Sequence, residues 1–148
     1  FSLRDFPFYD TAGQCGTAMQ TWVLADGKER KVRPIASLPP LLECPVRQPE
    51  RTDRPRRFRL PKEMEERALW TVAQEEIDKN GHLNNVAYVR HAEALVPVDC
   101  TVLDVCFERE CFAGETLRLM GSVSDGAYYV GIYKENGELS FSARFGKD

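Results

Sequence analysis

Asn84-Asn85-Val86-Ala87-Tyr88-Val89-Arg90-His91-Ala92-Glu93-Ala94-Leu95-Val96, followed at once by Pro97, is a helical stretch with almost no polar face. Val86, Ala87, Tyr88, Val89, Ala92, Ala94, Leu95 and Val96 surround most of its circumference, the pattern of a helix covered on nearly every side. Pro97 ends it, because proline supplies no amide hydrogen and clashes with the preceding turn.

Outward from the helix the pattern changes to strands. Residues 68–77 read as a strand and Asp78-Lys79-Asn80-Gly81 as a loop. After the helix, residues 100–110, 116–124, 127–134 and 139–145 read as strands. Asp125-Gly126 and Asn136-Gly137 supply hairpin turns between the last three. The expected order is strand, helix, then a four-stranded meander. A single helix beside antiparallel strands is buried most simply by a sheet wrapped around it. The predicted class is therefore α+β with the hot-dog architecture, over residues 63–148.

The rest of the chain divides in two. Residues 1–37 read as a β-hairpin with a tail: an aromatic-rich strand to Asp10, a turn cluster Thr11-Ala12-Gly13-Gln14, a second strand over 15–25, and Asp26-Gly27 leading to Lys31-Val32-Arg33. A lone hairpin is marginal in water, so it is expected to join a larger sheet. Residues 38–62 read as a linker, with prolines at 39, 40, 45, 49, 55 and 61 that fix φ and remove donors. Arg51, Arg54, Arg56, Arg57 and Arg59 stand in it against Asp53. This composition suits first a solvated, extended connector; the sharper alternative is a docking strip for an acidic partner.

The 148 residues carry 20 basic and 23 acidic side chains, net −3, with 43% apolar residues. Disorder, collagen and coiled coil are excluded, and one domain is expected at roughly 100–200 residues per domain. No run approaches the ~18 apolar residues of a membrane span. The slightly acidic balance argues against nucleic acid as partner. Cys15, Cys44, Cys100, Cys106 and Cys111 are irregularly spaced, with no C-x-x-C pair, which suggests neither a disulfide framework nor a zinc site. Reduced thiols in a cytoplasm are expected. The sequence begins at Phe1 without an initiator Met, leaving room for a preceding segment or a removed plastid transit peptide.

The densest cluster of reactive side chains is Asp78-Lys79-Asn80-Gly81-His82-Leu83-Asn84-Asn85, in the loop feeding the helix. Each member alone has a structural explanation: Asp78 ends a strand, Asn80-Gly81 makes a turn, Asn84 or Asn85 caps the helix. Together they place a carboxylate, an amide and one of only two histidines at a helix N-terminus. The amides and positive dipole end suit an oxygen that becomes negative, and an imidazole moves protons near neutrality. Attack on an acyl carbonyl, by transfer or hydrolysis, fits best.

The run Glu76-Ile77-Asp78-Lys79-Asn80-Gly81-His82-Leu83-Asn84-Asn85-Val86-Ala87-Tyr88 resembles the signature of fatty acyl–acyl carrier protein thioesterases, Asp-x-Asn-x-His-x-Asn-Asn followed by a Tyr. Phe107-Glu108-Arg109-Glu110-Cys111 resembles that family's second catalytic segment, and Thr21-Trp22-Val23-Leu24-Ala25-Asp26 is similar to the closing strands of its first hot-dog half. The resemblance implies the second half of a double hot dog, with Asp78, Asn80, His82, Glu110 and Cys111 as the catalytic set. It implies no cofactor, and acyl carrier protein with a fatty acyl thioester as partner. Two departures stand out. Only a hairpin precedes the linker, so the first half would lack its helix and opening strands, leaving the acyl tunnel incomplete and requiring a second half or another copy. His91 stands where members commonly place a Trp, and neither His91 nor Glu93 inherits a role; His91 reads as structural.

Two mechanisms follow. In one, Glu110 or Asp78 with His82 deprotonates a water while Asn80 positions; in the other, His82 activates Cys111 as nucleophile. In an unbulged strand Glu110 and Cys111 point to opposite faces, with Cys111 continuing the apolar row Leu103, Val105, Phe107, unless Gly114 permits a bulge. Water is favoured, since a thioester is already reactive. The alternatives are another hot-dog acyl-thioester enzyme, a hydratase or dehydratase, or a non-catalytic acyl-binding module.

Overall fold

The structure, a computed structural model, describes residues 2–29, 31–34, 37, 58–97 and 99–147. The chain forms two compact units, Phe1–Arg56 and Arg57–Asp148. The arginine strip falls, apart from the exposed Arg59, outside the described residues, as does Cys44.

In the first unit β1 (Ser2–Asp10) pairs antiparallel with β2 (Gly13–Trp22), from Ser2 opposite Trp22 to Asp10 opposite Gly13. Asp10 Oδ1 accepts the Ala12 amide at 2.8 Å, and Gly13 takes a φ of 128°, which a side chain would resist. β3 (Leu24–Ala25) pairs with β4 (Val32–Arg33) around Asp26, whose Oδ1 accepts the amides of Lys28 and Glu29 at 2.9 Å each.

In the second unit five strands form one antiparallel sheet: β5 (Glu65–Thr71), β6 (Val102–Phe107), β7 (Thr116–Ser124), β8 (Ala127–Lys134) and β9 (Leu139–Gly146). Their order is β5-β7-β8-β9-β6. The two hairpins expected at the end of the chain are present. Asp125 and Gly126 both have positive φ, 50° and 73°, the backbone of a type I′ turn that matches the strand twist.

The expected four-stranded meander is corrected. β6 does not pair with the next strand in sequence but crosses to the far edge, where Val102 to Phe107 oppose Gly146 to Phe141 of β9. The reason is the connection: residues 108–115 are an irregular segment tied elsewhere, not a two-residue hairpin turn. The strand expected over 68–77 begins earlier and stops at Thr71, giving way to a 3₁₀ turn at Gln74–Glu76. Here the Glu76 side chain accepts the Ala73 amide at 3.0 Å, an interaction that favours a turn over continued strand.

The helix α1 (Asn85–Glu93) lies on the sheet, with Asn84 as its N-cap. Ala87 and Ala92 are small enough to bring the helix close, and Tyr88 fills the space between: it stacks on Phe141 at 5.4 Å and meets Trp70 and Phe107 edge-on at 6.2 and 5.9 Å. Within this unit the sheet covers one face of the helix only, and Val86 is 60% exposed, so the all-round covering expected from its composition is not reached here. The opposite face of β8 is also covered: Phe58 lies against Tyr129 at 6.2 Å, and a Cβ on Gly131 would meet Leu60 at 2.9 Å. The end of the proline-rich stretch thus packs on the sheet rather than running free.

Phe141 is fully buried between Tyr88 and Phe107. Truncating it to alanine should cost about 3–5 kcal/mol of unfolding free energy, read by denaturant titration. A loss below about 1 kcal/mol would place the core elsewhere.

Candidate functional site

The loop before α1 is closed at its base by main-chain pairing. Ile77 bridges Leu83, the Asp78 amide donates to the His82 carbonyl at 2.8 Å, and the Asn84 amide donates to the Glu76 carbonyl at 2.9 Å. Gly81, at φ 82°, makes the reversal that L side chains resist. Asn84 Oδ1 accepts the Val86 amide at 2.9 Å, and its carbonyl accepts the Ala87 amide at 2.9 Å. The N-cap therefore takes up two amides that the sequence offers to a ligand, and leaves Asn85 as the first-turn residue lining the site.

Asp78 is the internal anchor of this loop. Its Oδ1 accepts the Asn80 amide at 2.7 Å and the His82 amide at 3.3 Å, and its Oδ2 accepts Asn80 Nδ2 at 3.3 Å. The Asn80 amide, with the His82 amide and the Asn80 side chain after it, holds the Asp78 carboxyl below its ordinary value against the opposing effect of burial. Asn80 itself is exposed, its side chain turned back onto Asp78.

Three clamps hold the segment of residues 108–111 in place. The amides of Glu108 and Arg109 both donate to the Ser140 carbonyl, at 2.8 and 3.1 Å, which breaks the β6 ladder. The Tyr88 hydroxyl donates to the Arg109 carbonyl at 3.3 Å, and the Leu83 amide to the Cys111 carbonyl at 2.8 Å. Glu110, held between the last two, comes within 3.6 Å of His82 Nε2: ion-pair reach once the imidazole is protonated, but longer than a hydrogen bond. Phe112 stands edge-on to the His82 ring at 5.5 Å. Asp78, His82 and Glu110 then line one open groove of about 320 Å³ together with Asn85, Tyr88 and Phe107.

Cys111 lies elsewhere. It is fully buried, and its thiol sits beside the Tyr88 phenol, whose pKa burial pushes up, with the Cys111 contact adding to the shift. The strand whose alternation would separate Glu110 from Cys111 ends at Phe107, so the separation arises from the clamps and not from the pleat. Gly114 takes a φ of 82° in the turn beyond, with its amide on the Val72 carbonyl at 2.9 Å. His91 is structural: its Nε2 lies 2.9 Å from Glu76 Oε1, and its ring stacks on Trp70 at 3.8 Å. Glu93 is exposed on the helix. Sequence reasoning passed over Asn85 as a lining residue and Glu76 as a connector. The one signal for Glu76 is its place three residues after Ala73, where a carboxylate can cap a short turn.

Among the described residues, no group of three or more His, Cys, Asp or Glu side chains could hold a metal ion. No described helix is long and apolar enough to cross a membrane.

No protein-family model matches the sequence, and no curated relative does. Solved structures share its fold. An acyl-ACP thioesterase from Bacteroides thetaiotaomicron VPI-5482 is similar with a TM-score of 0.82 and 21% identity over 97% of this chain and 61% of that one. An oleoyl thioesterase from Lactobacillus plantarum gives 0.70 and 22%, and the 12:0-ACP thioesterase from Umbellularia californica 0.67 and 20%, each again over 97% of this chain and 61% of the other. The chain thus has the hot-dog fold of these proteins and spans about three fifths of their length.

Because Asp78 is held below its ordinary value of 3.8, its contribution to the loop is complete above that value and is lost as pH falls through the depressed one. The Asn80 and His82 amide signals should therefore share one titration below pH 3.8 by NMR. A shared midpoint at or above that value would show that the anchor is not formed in solution.

Proposed function

We propose that the protein is a thioester hydrolase that releases fatty acid from an acyl chain carried on acyl carrier protein, by attack of an activated water. One observation carries this reading: Asp78, His82 and Glu110, from two separate segments, line a single groove at the start of α1. The fold shared with solved acyl-ACP thioesterases supports the substrate class.

The roles follow from position. Glu110 accepts the proton of the attacking water and then returns it to the departing thiolate, while His82, facing it at 3.6 Å, orients that water. Asp78 and Asn80 hold the loop that presents His82. Since Asn84 has taken the Val86 and Ala87 amides, the Asn85 amide and side chain, at the positive end of the α1 dipole, receive the carbonyl oxygen as it becomes negative. Cys111 contributes packing, because a thiol sealed against Tyr88 does not meet a substrate in the groove.

His82→Ala and Glu110→Ala should each lower kcat on a long-chain acyl thioester by about 10²–10⁴-fold, the usual contribution of a positioned acid or base. Cys111→Ala should keep kcat within about 5-fold, any loss following stability. A trapped acyl-enzyme on Cys111, or the reverse ranking of Cys111 and Glu110, would replace water by the thiolate.

A further inference from the structure

Glu76 lies outside the groove, yet its four contacts hold strand, turn and helix together. Its Oε2 accepts Trp70 Nε1–H of β5 at 3.1 Å and the Ala73 amide at 3.0 Å, and its Oε1 meets His91 Nε2 of α1 at 2.9 Å. Its carbonyl accepts the amide of Asn84, the cap of the same helix, at 2.9 Å. The His91 ring in turn stacks on Trp70 at 3.8 Å, so the carboxylate closes a ring of contacts through strand, turn and helix.

We propose that Glu76 is a positioning residue, one that fixes the helix start and the loop of residues 77–84 so that His82 faces Glu110. The proposal rests on the hydrolase reading for its kinetic consequence. Glu76 is adjacent in sequence to the Ile77–Leu83 bridge that closes the loop, and its carbonyl bond to Asn84 spans the loop's two ends. Its side chain then ties that closure to two elements outside the loop: β5 through Trp70 and the last turn of α1 through His91. Burial pushes its carboxyl up, but the Ala73 amide, His91 and Trp70 outweigh burial and hold it below its ordinary value, in keeping with an ionised acceptor. Without the carboxylate the Trp70 and Ala73 donors lose their partner, and the turn that leads into Asp78 loses its cap.

The test uses the whole chain as wild type, Glu76→Ala and Glu76→Gln. Each is measured for kcat and KM on a long-chain acyl thioester, and for the histidine ring signals by NMR. The chain has two histidines, so His82 and His91 are assigned by single replacement. In Glu76→Ala, kcat should fall about 10-fold or more with KM within about 2-fold, since small misplacements of a catalytic group are costly. The His82 ring signals, from a residue Glu76 does not touch, should move together with those of His91. Glu76→Gln keeps an oxygen for Trp70 and Ala73 and should lose only about 2–5-fold, the scale of one weakened hydrogen bond. Unchanged His82 signals and unchanged kcat in Glu76→Ala would overturn the proposal, whatever the melting temperature does. If that variant does not fold, Glu76→Gln decides: a displaced His82 signal with the smaller loss supports positioning, and identity with wild type refutes it. If the wild type cleaves no acyl thioester, the hydrolase reading fails on its own and the His82 signal alone settles the role of Glu76.

Discussion

The hydrogen bond from the Leu83 amide to the Cys111 carbonyl, 2.8 Å long and beside a leucine only 3% exposed, is the constraint from which the site follows. It joins the loop that starts the helix to the segment that leaves β6. Leaving such a buried pair unmade would cost about 1–3 kcal/mol per group, so the two segments are held in one register. Between this bond and the Tyr88 contact to Arg109, the chain has one residue, Glu110, and that residue meets His82. Leu83 and Tyr88 serve in the core as well, so the packing of the helix and the alignment of the groove are the same event.

This arrangement separates the residues that hold the loop from those that face the groove. Asp78 spends both oxygens on the loop's own donors, and Asn80 turns its amide back to Asp78. Such groups hold geometry without reorganising. His82 and Glu110 keep side chains at the groove, one-third and nearly one-half exposed. Cys111 follows in sequence but is turned into the core, because the carbonyl beside its side chain is the one that Leu83 holds.

Features set by neighbours in sequence were legible before the structure. The Asp125-Gly126 turn, the Asn84 cap, the bounds of β7 and β8, and the clustering of Asp78, Asn80 and His82 each depend on a few consecutive residues. Features set by distant partners were not. β6 has the composition of a strand but nothing local to say that its ladder partner is β9 rather than β7. The early end of β5 depends on a carboxylate five residues past Thr71, and the inward turn of Cys111 on amides from Leu83 and on a Ser140 carbonyl that stops the pleat. Alternation placed Cys111 inward for a reason that does not operate there, since no strand runs through it.

The most direct test of the central claim is a double-mutant cycle on kcat with His82→Ala, Glu110→Ala and the pair. If the two act on one water in one groove, the double variant should be about as impaired as the worse single variant, as groups that work as a unit are strongly non-additive. Losses that multiply would mean that His82 and Glu110 act independently, and would contradict the site described.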